Sequence, residues 1–518
     1  GELELRNPND RVLEGALEFP LTEAQSVVGF ALDINGELRP AVPVDKARGR
    51  QVFEDVTRTR VDPALLEATQ GRHHRLRVYP LPAQGSRRVV LEIAETLEPT
   101  RPGAARWRLP LQFGGPVGQL DLQARFAGLS PQAVHATLGA TPLAASPGPD
   151  GARLELRRER LMPRGGTGGA RDGAAELRVD LSSLAAGGPR ATSARWRDQD
   201  WFYAEVPADL RSAPRRAPAR VALLWDASGS GAGRDHSREF ALLDAWLRGL
   251  NQVQIQLVLV RDTAEAPETF EVRRGDWRAL RERLQRVAYD GATALSAMRV
   301  PAGVDQALLF SDGLGNYGEG GLPASPVPLF AVQAATGGDT NALRRVAEAS
   351  GGALLELLRT DTDAALRQLR EQPTRLSGLS ADGAEDLELE SPLPVHGRWV
   401  IAGRLTRPEA RITLETTPPT GRLRTQTIAV QAATGTTTGE VARIAAPLAA
   451  WRWATLRLAR LQTEPERHRQ AIRRLGRDFG LVTPETSLIV LDTVADYVRH
   501  EIEPPASLLA EYRTQVAR

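Results

Sequence analysis

The sequence contains no cysteine and a single lysine, Lys46, among its 518 residues. The absence of cysteine excludes disulfides, thiol catalysis and cysteine-ligated zinc. No apolar run reaches the roughly 18 residues that a membrane-spanning helix requires, so we expect no membrane span in this chain. The chain opens inside a predicted strand without a signal peptide, and we therefore expect that its targeting segments have been removed.

The chain also has little net charge. It contains 66 basic and 64 acidic residues, which leaves a net charge of +2. This balance requires no nucleic-acid partner. Apolar residues make up 42% and charged residues 25%, as in ordinary globular proteins. The length predicts about three or four domains. A chain without thiols is compatible with several compartments, of which we expect an extracytoplasmic or cell-surface one.

The residues that are present form a distinctive cluster after the apolar run 221–225. Asp226, Ser228 and Ser230 follow that run in one loop, and a short apolar run before such a turn predicts a buried strand. Thr293 lies in a second loop, and Asp312 ends a second buried run. Oxygen ligands with few charges suit a hard cation such as Mg²⁺, with Mn²⁺ or Ca²⁺ as further possibilities.

Strand and helix patterns alternate over residues 216–372. The predicted strands are 221–225, 254–260, 307–311, 328–332 and 353–358, and the predicted helices are 237–249, 276–287, 340–350 and 363–371. Such alternation predicts a parallel, Rossmann-like sheet with helices on both faces. Ligands bind such sheets at the carboxyl ends of the strands, where the loops after 225 and 311 would meet.

The order Asp226-x-Ser228-x-Ser230, then Thr293, then Asp312, resembles the metal-ion-dependent adhesion site of von Willebrand factor type A domains. The resemblance implies a type A domain over residues 216–372. It also implies that these five residues hold a divalent cation that accepts a carboxylate from a partner protein. The motif is a hypothesis that depends on its structural context.

Residues 1–125 alternate apolar and polar positions at the period of β-strands, with a helix predicted over 45–59. The segments that carry a further resemblance, in order, are 15–21, 27–30, 44–48, 52–56 and 63–67. They resemble the VIT domain of vault proteins and of the heavy chains of inter-α-trypsin inhibitors. The combination resembles bacterial relatives of those heavy chains.

The rest of the chain is predicted as one further β-rich domain and a closing segment. Residues 126–215 and 373–440 alternate as strands, and we expect them to pack as one sandwich-like domain that the type A domain splits. Residues 441–518 are predicted to be a helical closing segment, within which 479–491 resembles the segment that closes VIT–type A proteins. The whole is a multidomain α/β plus β protein.

The function implied by these resemblances is a non-enzymatic interaction module whose partner is a protein that supplies an acidic side chain. Three alternatives stay open: a structural scaffold of a cell envelope or particle with a vestigial metal site, a type A partner of an ATPase, and a hydrolase. The hydrolase would use Ser228 or Ser230 with His236. The sequence does not specify an oligomeric state.

Overall fold

The computed structural model describes most of the chain. The described residues are 2–21, 25–58, 63–69, 73–95, 97–101, 103–110, 117–161, 176–183, 188–208, 211–318, 320–395, 397–433, 447–462 and 465–517. Within these residues the chain forms 32 strands and nine α-helices. The multidomain α/β plus β architecture predicted from the sequence is confirmed.

The amino-terminal domain is built from two packed sheets and one helix. Its elements are β1 (Glu2–Arg6), β2 (Leu13–Pro20), β3 (Gln25–Ile34), β4 (Glu37–Pro40), β5 (Val42–Asp45), α1 (Lys46–Arg58), β6 (Ala64–Ala68), β7 (His73–Leu81) and β8 (Ser86–Glu95). The first sheet has the order β1-β8-β3-β4. Alternate residues of β3, such as Phe30 and Leu32, are fully buried against Leu76 and Val78 of the second sheet.

The next unit is a second β-sandwich that occupies residues 98–181. Its strands are β9 (Glu98–Arg101), β10 (Ala104–Pro110), β11 (Val117–Ala127), β12 (Val134–Leu138), β13 (Thr141–Leu143), β14 (Ser146–Gly148), β15 (Gly151–Leu161) and β16 (Glu176–Leu181). They form the sheets β13-β12-β16-β10-β9 and β11-β15-β14. Leu154 and Leu156 of one sheet share a core with Leu177 and Val179 of the other.

This unit differs from the predicted division at residue 125. The prediction paired 126–215 with 373–440, whereas β16 pairs with β10, Val179 lying opposite Trp107, and so draws on residues assigned to the first domain. The physical reason is that a period-two pattern identifies the buried face of a strand and carries no information on its partner. The part of 126–215 that does join 373–440 begins at Arg190.

That part consists of β17 (Arg190–Trp196), β18 (Gln199–Pro207) and the short β19 (Ser212–Pro214). The chain then enters the inserted domain. Its elements are β20 (Arg220–Asp226), α2 (His236–Arg248), β21 (Gln252–Val260), β22 (Glu268–Arg273), α3 (Arg278–Gln285), β23 (Gln306–Phe310), β24 (Leu329–Gln333), α4 (Thr340–Ala349), β25 (Leu354–Glu356) and α5 (Thr362–Arg370). The five predicted strands and four predicted helices are all present.

The inserted sheet has the order β22-β21-β20-β23-β24-β25, and every pair except β21–β22 is parallel. Apart from the exposed Arg220 at the start of β20, the central strands are buried along their length because helices cover both faces, which explains their continuous apolar runs. Separate apolar clusters lie on the two faces. The Rossmann-like prediction for residues 216–372 is therefore confirmed in its topology.

The chain leaves the inserted domain beside the point at which it entered. The returning strands are β26 (Glu371–Pro373), β27 (Arg375–Asp382), β28 (Ala384–Leu389), β29 (Arg398–Leu405), β30 (Glu409–Thr417) and β31 (Arg424–Gln431). Pairing of β26 with β19 holds the two ends of the insertion together. The sheets β17-β18-β29-β28 and β27-β30-β31 then close the split sandwich, with Phe202 and Trp399 of the first packing on Ile412 of the second.

The closing segment connects the split sandwich with the amino-terminal domain. Its elements are α6 (Leu448–Leu461), α7 (Pro465–Phe479), β32 (Thr486–Val490), α8 (Val494–Arg499) and α9 (Leu509–Val516), while 441–446 lie outside the described residues. Trp451 and Trp453 of α6 pack on Trp201 of the split sandwich. The strand β32 enters the second amino-terminal sheet, which has the order β2-β7-β6-β32-β5.

Replacement of Ile489 tests whether the closing strand supports the amino-terminal domain. Ile489 lies opposite Val42 of β5 and Leu65 of β6 and is fully buried beneath Phe53 of α1. We expect Ile489→Ala to lower the free energy of unfolding by about 2–5 kcal/mol, because the cavity and the lost burial both cost stability. Urea denaturation followed by circular dichroism measures the change.

The matched control is Ile93→Ala in the same domain, where the side chain is 42% exposed. We expect that substitution to cost less than about 1 kcal/mol. Equal losses in the two variants would contradict a structural role for the closing strand.

Candidate metal centre

The candidate site lies at the point of the inserted sheet where successive strands stop being added on one side of β20 and start being added on the other. The chain moves from β20 to β21 on one side, whereas β23 lies against the other side of β20. Asp226 is the last residue of β20, and Asp312 follows β23 by two residues. Both carboxylates therefore lie at the carboxyl edge of adjacent parallel strands, the usual ligand-binding position of such sheets.

Asp226 is fully buried and is surrounded by neutral donors. Its Oδ1 accepts hydrogen bonds from the Ser228 hydroxyl at 2.6 Å and from the Ser228 amide at 3.1 Å. Its Oδ2 accepts one from the hydroxyl of Ser311 at 2.6 Å. These bonds fix the orientation of the carboxylate. Ser311 was not predicted, because it reads as the end of a buried strand.

The remaining loop hydroxyl connects the two carboxylates. The hydroxyl oxygens of Ser228 and Ser230 lie 3.3 Å apart, and the side chain of Ser230 lies beside that of Asp312. Burial raises the pKa of Asp312, and the nearby charge of Asp226 raises it further. The structure thus brings Asp226, Ser228, Ser230 and Asp312 together.

Thr293 belongs to a loop that is joined to this cluster through the backbone. The amide of Gly229 donates to the carbonyl of Gly291 at 3.1 Å, which ties the two loops together beside Ser230. Thr293 is buried, and its amide donates to the Asn316 side chain at 2.7 Å. Asn316 was missed by sequence reasoning, although its place in a glycine-rich turn after Asp312 is a signal that could have identified it.

A buried ion pair supports the first loop from below. The guanidinium of Arg234 donates to Glu239 at 2.8 Å and to the main-chain carbonyl of Asp226 at 2.7 Å, and both charged side chains are fully buried. The same guanidinium lies 5.2 Å from the centre of the Trp225 ring. Gly231 allows this approach, since a side chain there would lie 2.9 Å from the Asp226 carbonyl oxygen. Sequence reasoning did not identify Arg234.

His236, which the hydrolase alternative requires, is engaged in a different network. Its Nδ1 lies 2.7 Å from Glu239 and 3.5 Å from the hydroxyl of Tyr289, whose ring stacks on the imidazole at 4.7 Å. The hydroxyl of Ser228 bonds with Asp226. Neither serine forms a hydrogen bond with His236 within the described part of the chain.

The donor set fits a hard divalent cation in its chemistry. It offers two carboxylates and the hydroxyls of Ser228, Ser230 and Thr293, all of them oxygen ligands. Among the described residues no group of three or more His, Cys, Asp or Glu side chains is placed to hold a metal ion. Hydroxyl groups would therefore have to supply much of the coordination here.

The amino-terminal domain touches the edge of this site. Gly337 has a φ of +78° in the loop after β24, and a side chain there would collide with His73 of β7. Two residues later, the amide of Asp339 donates to the main-chain carbonyl of Asp312 at 2.8 Å. The packing of the first domain is thus connected with the position of Asp312 through one short loop.

Comparison with known proteins agrees with the amino-terminal prediction. Residues 2–93 match the family model described as Vault protein inter-alpha-trypsin domain, so this part of the chain is a VIT domain. No curated protein matches the chain. No helix within the described residues is long and apolar enough to cross a membrane.

Solved structures similar to this chain include von Willebrand factor type A proteins. The ArnB paralog VWA2 from Sulfolobus acidocaldarius is 10% identical with a TM-score of 0.26, and the alignment covers 63% of this chain and 93% of that one. A von Willebrand factor type A protein from Catenulispora acidiphila is 12% identical with a TM-score of 0.26, over 60% of this chain and 84% of that one. The pilus adhesin SpaC from Lactobacillus rhamnosus GG is 12% identical with a TM-score of 0.18, over 47% and 48%.

Replacement of Asp312 tests the electrostatic strain between the two carboxylates. Because burial and Asp226 raise the pKa of Asp312, its carboxyl favours folding below the pKa of the unfolded chain. That contribution is lost as the pH rises through the higher folded-state pKa. We expect Asp312→Asn to raise the melting temperature in EDTA at neutral pH, and the gain to shrink on acidification to about pH 4.

Differential scanning calorimetry across this pH range measures the effect, with Asp262→Asn, at an exposed position in the same domain, as the control. The same Asp312→Asn variant should lose affinity for divalent cations. A melting temperature that falls at neutral pH would refute the repulsion between Asp226 and Asp312.

Proposed function

We propose that this protein is a non-enzymatic adhesion or protein-interaction module that binds a carboxylate of a partner protein through a divalent cation. The observation that carries the proposal is the convergence of Asp226, Ser228, Ser230 and Asp312 at one point of the inserted sheet. Mg²⁺ is the proposed cation, and Mn²⁺ or Ca²⁺ would fit the same oxygen set. The VIT domain and the type A-like topology support a role in protein interaction.

Each residue of the set has a distinct proposed role. Asp226 and the hydroxyls of Ser228, Ser230 and Thr293 would hold the cation directly or through water, and Asp312 would act through a water molecule. When bound, the cation would supply an open coordination position for the partner's carboxylate. A set with two carboxylates and several hydroxyls would leave that position electrophilic.

The surrounding residues prepare the set for this role. Ser311 orients Asp226 through a neutral hydrogen bond, and Arg234 fixes the start of the loop through the Asp226 carbonyl. A site fixed in advance loses less entropy when it binds. The proposed location is extracytoplasmic or at the cell surface, because an adhesion module meets its partner there.

The proposal predicts a cation affinity that depends on the Ser230 hydroxyl. Ser230 lies on the exposed side of the loop, so Ser230→Ala should leave the melting temperature in EDTA unchanged. We expect it to weaken Mg²⁺ or Mn²⁺ binding by about tenfold, equivalent to about 1.4 kcal/mol, because one ligand is lost. Isothermal titration of the EDTA-treated protein measures the affinity.

The matched control is Ser237→Ala, which removes an exposed hydroxyl at the start of α2. Its cation affinity should equal that of the unmodified protein. If Mg²⁺, Mn²⁺ and Ca²⁺ all fail to bind the unmodified protein, the proposal is wrong and a structural role takes its place.

A second experiment tests whether the bound cation has an open coordination position. The water-proton relaxivity of the Mn²⁺-loaded protein should fall when an Asp-containing tripeptide displaces coordinated water, and it should not fall with the Asn counterpart. Equal responses to the two peptides would show that the cation does not select a carboxylate.

A further inference from the structure

A large cleft lies between the inserted domain and the β-domains that surround it. Its volume is about 1270 Å³, above the range of roughly 300–1,000 Å³ that is usual for small-molecule pockets. Its walls come from separate parts of the fold, including Arg108 of β10, Tyr203 of β18, Leu354 of β25 and Trp451 of α6. None of the five proposed metal ligands lines it.

Arginine is the commonest charged residue in the walls of the cleft. Ten arginines and six acidic residues line it. Many of these arginines have a carboxylate partner, either in the walls or just outside them: the pairs are Arg344–Glu356, Arg398–Glu205, Arg106–Asp180, Arg238–Asp235 and Arg452–Glu390. An anion that enters the cleft would therefore be held by the arginines that lack such a partner.

Arg215 is one of the arginines in the walls that lack a carboxylate partner among the described residues. Its guanidinium donates to the main-chain carbonyls of Glu371 at 2.9 Å and of Gly351 at 3.2 Å, and it lies over the Phe330 ring. It forms no ion pair with a carboxylate among the residues that the structure describes. Burial and the charge of Arg375 lower the pKa of Arg215, as expected for a cation without a matching anion.

Two further arginines of the cleft come from different domains. Arg190 begins β17 of the split sandwich, and Arg367 lies in the last turn of α5 in the inserted domain. Both are exposed, and neither forms an ion pair with another described residue. Guanidinium groups in such positions can bind carboxylates in a bidentate manner.

The cleft also contains an unpaired sheet edge. The strand β25 pairs with β24 through Leu354 opposite Ala331, and in the described part of the chain no strand covers its other edge. Leu354 and Glu356 of this strand line the cleft. An open edge is a template for an additional strand, and proteins use such edges to bind extended peptides.

Trp451 adds to the walls of the cleft a hydrogen-bond donor that has no acceptor. Its side chain is 2% exposed, and its indole N–H has no acceptor among the described residues. An indole N–H and a guanidinium can only donate, so Trp451 and the unpaired arginines contribute donors to the walls. A ligand that matches them must bring acceptors of its own.

We propose that the cleft binds an extended acidic peptide segment of another protein, which adds a strand to the edge of β25. Carboxylates on alternate residues of the segment point to the same side and would be held by Arg190, Arg215 and Arg367. The six acidic residues that also line the cleft disfavour a densely charged phosphate chain. This site is separate from the proposed metal site and needs no cation.

The test uses the full chain in EDTA and a fluorescently labelled nonapeptide of alternating Glu and Val. Fluorescence anisotropy should show saturable binding that weakens as the salt concentration rises. The peptide with Gln in place of Glu should bind at least about tenfold more weakly. Arg190→Gln and Arg367→Gln should each weaken binding of the Glu peptide about tenfold, the loss expected for one charged hydrogen-bonding group.

The matched control is Arg411→Gln, at an exposed position on β30 outside the cleft, and it should not change the affinity. Equal binding of the two peptides, or equal losses in all three variants, would overturn the proposal. Tighter binding of tripolyphosphate than of the Glu peptide would also overturn it, in favour of a phosphate ligand.

The Asp226→Ala variant separates this proposal from the metal-dependent function. It should bind the Glu peptide as the unmodified protein does. If peptide binding required Mg²⁺ and were lost in Asp226→Ala, the carboxylates would be binding at the metal site and the cleft would have no part in it.

Discussion

The insertion of β32 between β5 and β6 is the constraint on which the arrangement of the chain depends. It places residues 486–490 inside a sheet whose other strands end at residue 81. Because α6 precedes β32 and packs on the split sandwich, the same segment binds two domains at once. The inserted domain is held in turn by the pairing of β19 with β26. The amino-terminal domain and the inserted domain are thus each closed by a pairing of distant segments.

This closed arrangement supports a site with unusually little freedom. Asp226 is held by hydroxyls and amides, and the charge that lies beneath it belongs to an arginine already paired with Glu239. The orientation of the carboxylate is therefore fixed by neutral hydrogen-bond donors. Positions of this kind cost stability in the folded protein and are typical of functional sites.

Much of the fold could be predicted from the sequence wherever the local pattern of a strand also indicates which strands it pairs with. In the inserted domain the buried parallel strands are continuous apolar runs, and the helices between them fix the connections. The edge strand β22 escaped prediction because its sequence is largely polar and its burial is partial. The unit 98–181 also escaped, since alternation in β10 and β16 identifies two amphipathic strands without showing that they pair.

The candidate site likewise contains some residues that could be predicted from the sequence and others that could not. Asp226, Ser228, Ser230 and Asp312 could be placed together because each follows a predicted parallel strand or lies in its loop. Ser311 and Asn316 depend on side-chain orientation within loops, and Arg234 depends on a tertiary ion pair. The contacts of Ser311 and Arg234 have no local signature in the chain, whereas the glycine-rich turn around Asn316 offers one.

The position of β32 also determines when the VIT domain can be completed during biosynthesis. About 400 residues separate β6 from β32, and a ribosome that adds roughly 5–20 residues per second needs about 20–80 s to synthesise them. During that interval β5 and β6 lack the strand that joins them, and their edges are open to other chains. The nascent protein therefore presents its first domain in an incomplete form for longer than most domains take to fold, and only a chain extended past β32 can finish it.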